Sequence, residues 1–82
     1  MEKYIIKNNI PDIIEACAFK LLFGNSRTYK KKSSARNYFH QAETCLSNFN
    51  TKSYLRLGDI IRGTIQVEID GFFYYVELYK EE

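Results

Sequence analysis

Two β-prone runs, Ile65–Ile69 and Phe72–Leu78, meet at Asp70-Gly71, and no other feature of this chain restricts its fold as strongly. A two-residue Asp-Gly loop predicts a type I′ turn, which needs positive φ at both central positions. Glycine reaches that region freely and aspartate tolerates it. Such a loop fixes the pairing, setting Ile69 opposite Phe72, Val67 opposite Tyr74 and Ile65 opposite Val76. With Leu78, these six residues share one face, the expected core face. The other face carries Gln66 and Glu68 on one strand and Phe73, Tyr75, Glu77 and Tyr79 on its partner. Three aromatics are more than a solvated face needs. Cross-strand packing, or cover by a helix or the N-terminal strand, is the expected explanation. The alternative is a protein-recognition surface, with Phe73, Tyr75 and Tyr79 in a row flanked by Gln66 and Glu68.

Upstream of the hairpin, Glu2–Lys7 (EKYIIK) reads as an N-terminal strand bounded by Asn8-Asn9. Pro11 suits the first position of a helix, and Asp12 and Glu15 favour its positive dipole end. Ile10, Ile13, Ile14, Cys17, Ala18 and Leu21 repeat at helical spacing until Gly24-Asn25 ends the run. Ser26–Lys32 is expected to be a polar connection, after which Ser33 or Ser34 caps a second helix. Its apolar stripe is Ala35, Tyr38, Phe39, Ala42, Cys45, Leu46 and Phe49, with Arg36, Asn37, Gln41, Thr44 and Ser47 on the other side. A further short strand is readable near residues 53–57, then a Gly58-Asp59 turn and a strand over Ile60–Ile69. Gly63 inside that strand suggests a bulge or bend. The predicted architecture is therefore a single α+β domain over residues 1–82. A small antiparallel sheet packs with two α-helices, in the order β-α-α-(β)-β-β.

Leu57–Leu78 (LGDIIRGTIQVEIDGFFYYVEL) resembles the opening strands of RNA-binding OB domains in ribosomal-protein and ribonuclease chains. In both, a Gly-Asp turn leads into a strand, then a glycine-containing turn and an aromatic strand. The resemblance covers about a quarter of the chain, and an OB barrel needs five strands. Neither fold nor function is carried over from it.

Composition separates the function classes. At 45% hydrophobic and 16% aromatic residues the chain can build a core. A net charge of +2 names neither nucleic acid nor membrane as a partner. The longest apolar run, inside Ile13–Phe23, is broken by Glu15 and Lys20, which predicts neither a signal peptide nor a membrane span. Two cysteines, Cys17 and Cys45, fall on predicted apolar helix faces and suit a reducing, cytoplasmic setting. Abundant Lys, Ile, Asn and Tyr fit an AT-rich genome such as that of a low-GC bacterium, phage or plasmid.

Catalysis is not expected. The only histidine, His40, has no helical cysteine neighbour, because Cys45 lies half a turn out of phase. Two cysteines and one histidine also lack the ligand count of a structural zinc site, and no phosphate-binding glycine loop is present, so no metal or cofactor is expected. One cluster stands out: Arg27, Tyr29, Lys30, Lys31, Lys32 and Arg36, leading into a helix N-terminus. Cations there gain from a bound anion, whereas the plainer reading is a solvated lysine-rich loop.

The expected function is a small non-enzymatic interaction protein docking on a macromolecular, chiefly protein, partner. A phage or mobile-element inhibitor of a host or defence system is one form of it, and a homodimer is another use of the surplus aromatics. The alternative is a nucleic-acid binder joining the Arg27–Arg36 loop to the hairpin aromatics. A third is capture of a small anion such as a nucleotide at the basic loop.

Overall fold

The computed structural model describes residues 3–11, 26–56, 58 and 61–81. Its elements are β1 (Lys3–Asn8), β2 (Ser26–Tyr29), α1 (Lys32–Cys45), β3 (Asn50–Arg56), β4 (Arg62–Ile69) and β5 (Phe72–Glu81). All five strands join one sheet, in the order β2-β1-β5-β4-β3 with every neighbouring pair antiparallel. Among the described residues the sheet is open, with β2 and β3 as its edges, and no strand pairing closes it into an OB-type barrel.

The hairpin forms as its sequence dictates. Asp70 and Gly71 adopt φ of 53° and 84°. The register pairs Ile69 with Phe72, Val67 with Tyr74 and Ile65 with Val76. Alternation then sends Ile65, Val67, Ile69, Val76 and Leu78 to one face, where all are buried. β1 lies antiparallel to β5 and adds Tyr4 and Ile6 to that face. Beyond β1, the Asn9 backbone N–H donates to the Tyr75 carbonyl, and the Asn9 side-chain oxygen accepts from the Tyr75 N–H at 2.7 Å.

Helix α1 lies over this face. Ala35, Phe39 and Ala42, with Leu46 just past its end, join the strand residues in one buried cluster, and Tyr38, Cys45, Phe49, Leu55 and Tyr74 pack around it. The stripe read from the sequence is thus the buried one.

The expectation of two helices on a small sheet is corrected by this arrangement. Among the described residues the sheet dominates, with five strands against one helix. The expected helix beginning at Pro11 lies, past Pro11, outside the described residues. Ser26–Tyr29, expected as a polar connection, is strand β2, paired from Tyr4↔Tyr29 to Lys7↔Ser26. It shows little apolar alternation in four residues, and it is held by β1's backbone groups and by Tyr29, whose side chain is buried in the core. β3 begins at Asn50 because β4 offers it a partner along its whole length, from Asn50↔Glu68 to Arg56↔Arg62.

Three local expectations also change. Gly63 makes no bulge: it sits in unbroken register between Leu55 and Leu78. Its role is close approach, since a Cβ there would lie 2.8 Å from Phe39 Cε2 and 2.9 Å from Leu55 Cδ1. Helix α1 starts at Lys32 with Lys31 as N-cap and no side-chain cap, so Ser33 and Ser34 fall inside its first turn. Phe72, assigned to the core face by register, is 66% exposed. Register decides a side chain's face, not whether anything lies over it.

Candidate functional site

The face of the sheet away from α1 is built by the other half of each strand's alternation. Phe73, Tyr75, Glu77 and Tyr79 line it on β5, and Arg62, Thr64, Gln66 and Glu68 on β4. β3 contributes Asn50, Lys52, Tyr54 and Arg56, and β1 contributes Lys3, Ile5 and Lys7. The rings protrude: Tyr54 is 60% exposed, Phe73 53% and Tyr75 40%, while Tyr79 is half-buried. Among the described residues no helix or strand lies over Phe73 and Tyr75.

Cross-strand neighbours show how this face is composed. Phe73 lies opposite Glu68, Tyr75 opposite Gln66, and Tyr79 between Arg62 and Ile5. Lys7 places its ammonium 5.2 Å from the centre of the Tyr79 ring, a cation–π contact. Two shallow hollows flank the aromatic row. One, of about 210 Å³, is lined by Lys7, Asn8, Asn9, Tyr75 and Glu77. The other, also about 210 Å³, is lined by Asn50, Lys52, Gln66, Glu68 and Phe73. All five predicted interface residues thus share one open face. Sequence reasoning missed Tyr54, Arg56 and Lys52, because β3 shows too little alternation to reveal which of its side chains face outward.

The basic cluster divides. Lys30, Lys31, Lys32 and Arg36 line a cleft of about 460 Å³ together with Tyr4 and Ser33, at the N-terminus of α1. No acidic residue stands in the helix's first turn. Arg27 and Tyr29 turn elsewhere, onto the helix-covered side. Tyr29 stacks on Tyr38 of α1 with ring centres 4.7 Å apart, and the Arg27 guanidinium lies 5.5 Å from the Tyr38 ring centre. The Tyr29 hydroxyl is buried and has no hydrogen-bond partner among the described residues. Burial pushes this phenol above its ordinary pKa of 10.0; the Arg27 charge works against that rise and Tyr38 adds to it.

The two predicted surfaces do not adjoin. The basic loop follows Tyr29, which is level with Tyr4 and Lys80. Phe73 lies at the other end of β5, roughly 24 Å away at about 3.4 Å per residue. Its ring is also on the opposite face.

His40 makes a different contact from any expected. Its Nδ1 is 2.8 Å from Glu43 Oε1, and Glu43 Oε2 accepts a 2.8 Å hydrogen bond from the Ser53 hydroxyl. The carboxylate stands between imidazole and hydroxyl, so the trio ties α1 to β3 and lacks the serine–imidazole contact of nucleophilic catalysis. Cys45 is half-buried on α1, and Cys17 lies outside the described residues. Among the described residues no three His, Cys, Asp or Glu side chains group as metal ligands do, and no helix is long and apolar enough to cross a membrane. No family model, no curated protein and no solved structure matches this chain.

Proposed function

We propose that this protein is a non-catalytic docking module that binds a macromolecular partner through the open face of its sheet. One observation carries the reading: Tyr54, Phe73 and Tyr75 stand exposed together on a face that no described element covers. Large aromatics on a rigid sheet supply contact area at little cost in conformational entropy, and such rings dominate binding energy at interfaces. A partner protein, a second copy of the chain or a nucleic acid would each use that property. An accessory or inhibitor role in a phage or mobile element, in the cytoplasm of its host, is the biological form we favour. A ligand spanning both the basic cleft and the aromatic face would have to pass round the sheet, so the docking face is assigned to the aromatics alone.

Affinity purification of the tagged protein from the cell that encodes it tests the reading, comparing wild type with a Phe73→Ser/Tyr75→Ser variant. The expected result is a partner recovered with wild type and lost with the variant, whose melting temperature stays close to wild type. Equal recovery by both proteins, or a strictly monomeric wild type that retains nothing, overturns the assignment of this face.

A further inference from the structure

We infer that the occupant of the open face is a single-stranded nucleic acid, with its phosphates on the β3–β4 half and its bases on the exposed rings. This rests on the docking reading above and names the partner class. Charge is the first argument. Lys3 and Lys7 of β1 sit opposite Glu81 and Glu77 of β5, so that half of the face is balanced. On the β3–β4 half, Lys52, Arg56 and Arg62 stand exposed, and Glu68 is the one acidic residue among the described residues of these two strands. Arg56 and Arg62 are direct cross-strand partners. Like charges opposite one another weaken a sheet, and a bridging phosphate reverses the sign of that contact.

The second argument is the spacing of the rings. Protein interfaces are built round a core depleted in charge. Here no exposed ring on the face has an aromatic or aliphatic residue as its β4 neighbour: Tyr54 faces Thr64, Phe73 faces Glu68 and Tyr75 faces Gln66. Phe73 and Tyr75 adjoin along β5, while across the sheet polar and charged groups separate the rings, so they form a row of π-surfaces and not a broad apolar patch. That pattern suits planar bases stacking one by one, while cations beside them follow the backbone. The hollow beside Phe73 offers Asn50, Gln66 and Lys52 to a base edge. Stacking of this kind requires unpaired bases, which excludes a duplex as the main ligand.

Fluorescence anisotropy with labelled oligo-dT, oligo-U, a mixed-sequence strand and its duplex, across salt concentrations, tests the inference. The single strands bind saturably at low salt and the duplex weakly; comparing dT with U tells DNA from RNA. Log affinity against log salt falls with a slope of about −2, the value for three phosphate contacts on a single strand. Arg56→Glu with Arg62→Glu weakens binding at least about tenfold. Tyr75→Leu weakens it about 5- to 100-fold while Tyr75→Phe retains it. Lys30–Lys32→Gln changes it by less than about threefold, being remote from the face. Thermal melts confirm that each variant is folded. Absence of single-strand binding, duplex binding of equal strength, indifference to the arginine changes, or loss only on changing Lys30–Lys32 overturns the inference. If no nucleic acid binds but a partner is still recovered through Phe73 and Tyr75, the docking face stands and the nucleic-acid assignment falls. If neither is seen, both fall.

Discussion

The two faces of this sheet come from the same strands, residue by alternate residue, yet their chemistry is opposed. Beneath α1, Ile65, Val67, Val76 and Leu78 lie against Phe39, Ala42 and Leu46 with almost no accessible surface. On the other side, aromatic rings alternate with Arg, Lys, Gln and Glu, and the rings of Tyr54 and Phe73 are more than half exposed. Aliphatic side chains gain only by leaving water, so the helix-covered face is occupied by shape and area. Aromatic and guanidinium groups bind through faces and charges as well as area, so they keep their use when solvated. The covered face supplies the core; the open face is the one proposed above for docking.

That contrast can be broken by substitution. The largest effect is expected at Phe39, whose ring is fully buried between helix and sheet. Phe39→Ala removes about 3–5 kcal/mol of stability, measured by urea unfolding. Next comes Gly63→Ala, which drives a methyl into the Phe39 ring and Leu55 and costs about 1–3 kcal/mol. Adding Phe39→Leu to Gly63→Ala should cost less than the sum of the two single changes, because both act on one contact. A larger penalty for the pair would mean that Gly63 is required for another reason.

Tyr29→Phe is expected to stabilise, by about 1 kcal/mol, since it deletes a buried hydroxyl without a partner. It also changes the response to alkali. Because the folded-state pKa of Tyr29 is raised above 10.0, its contribution is fully present below that pH and is lost as pH climbs through the folded value. Wild type therefore loses stability above pH 10.0 more steeply than Tyr29→Phe in melts across that range. Smallest of all is Phe73→Ser on the open face, within about 0.5 kcal/mol of wild type. A loss of several kcal/mol there would show that the face is part of the core.

Legibility tracked how local the physics was. Asp70-Gly71 set its own backbone geometry, and that geometry set the register of β4 against β5. The stripe of α1 was equally plain, because burial repeats every helical turn. β2 was not legible: SRTY has no pattern of its own and becomes a strand only beside β1. Gly63 was seen as exceptional, but a bulge and a close approach are written with the same residue, and only the position of Phe39 distinguishes them. The basic cluster was visible as one run, whereas strand alternation turned Arg27 and Tyr29 to the stacked tyrosines and left Lys30, Lys31, Lys32 and Arg36 around the cleft.

By itself, then, the sequence determined the hairpin, its pairing and the apolar stripe of the helix, all of which depend on residues close together in the chain. It also placed Phe73, Tyr75 and Tyr79 on one face. Whether those rings are covered depended on where α1 and the edge strands came to lie. Only the assembled sheet decided that, because burial is a relation between elements distant in sequence and no local periodicity encodes which of two faces a helix will take.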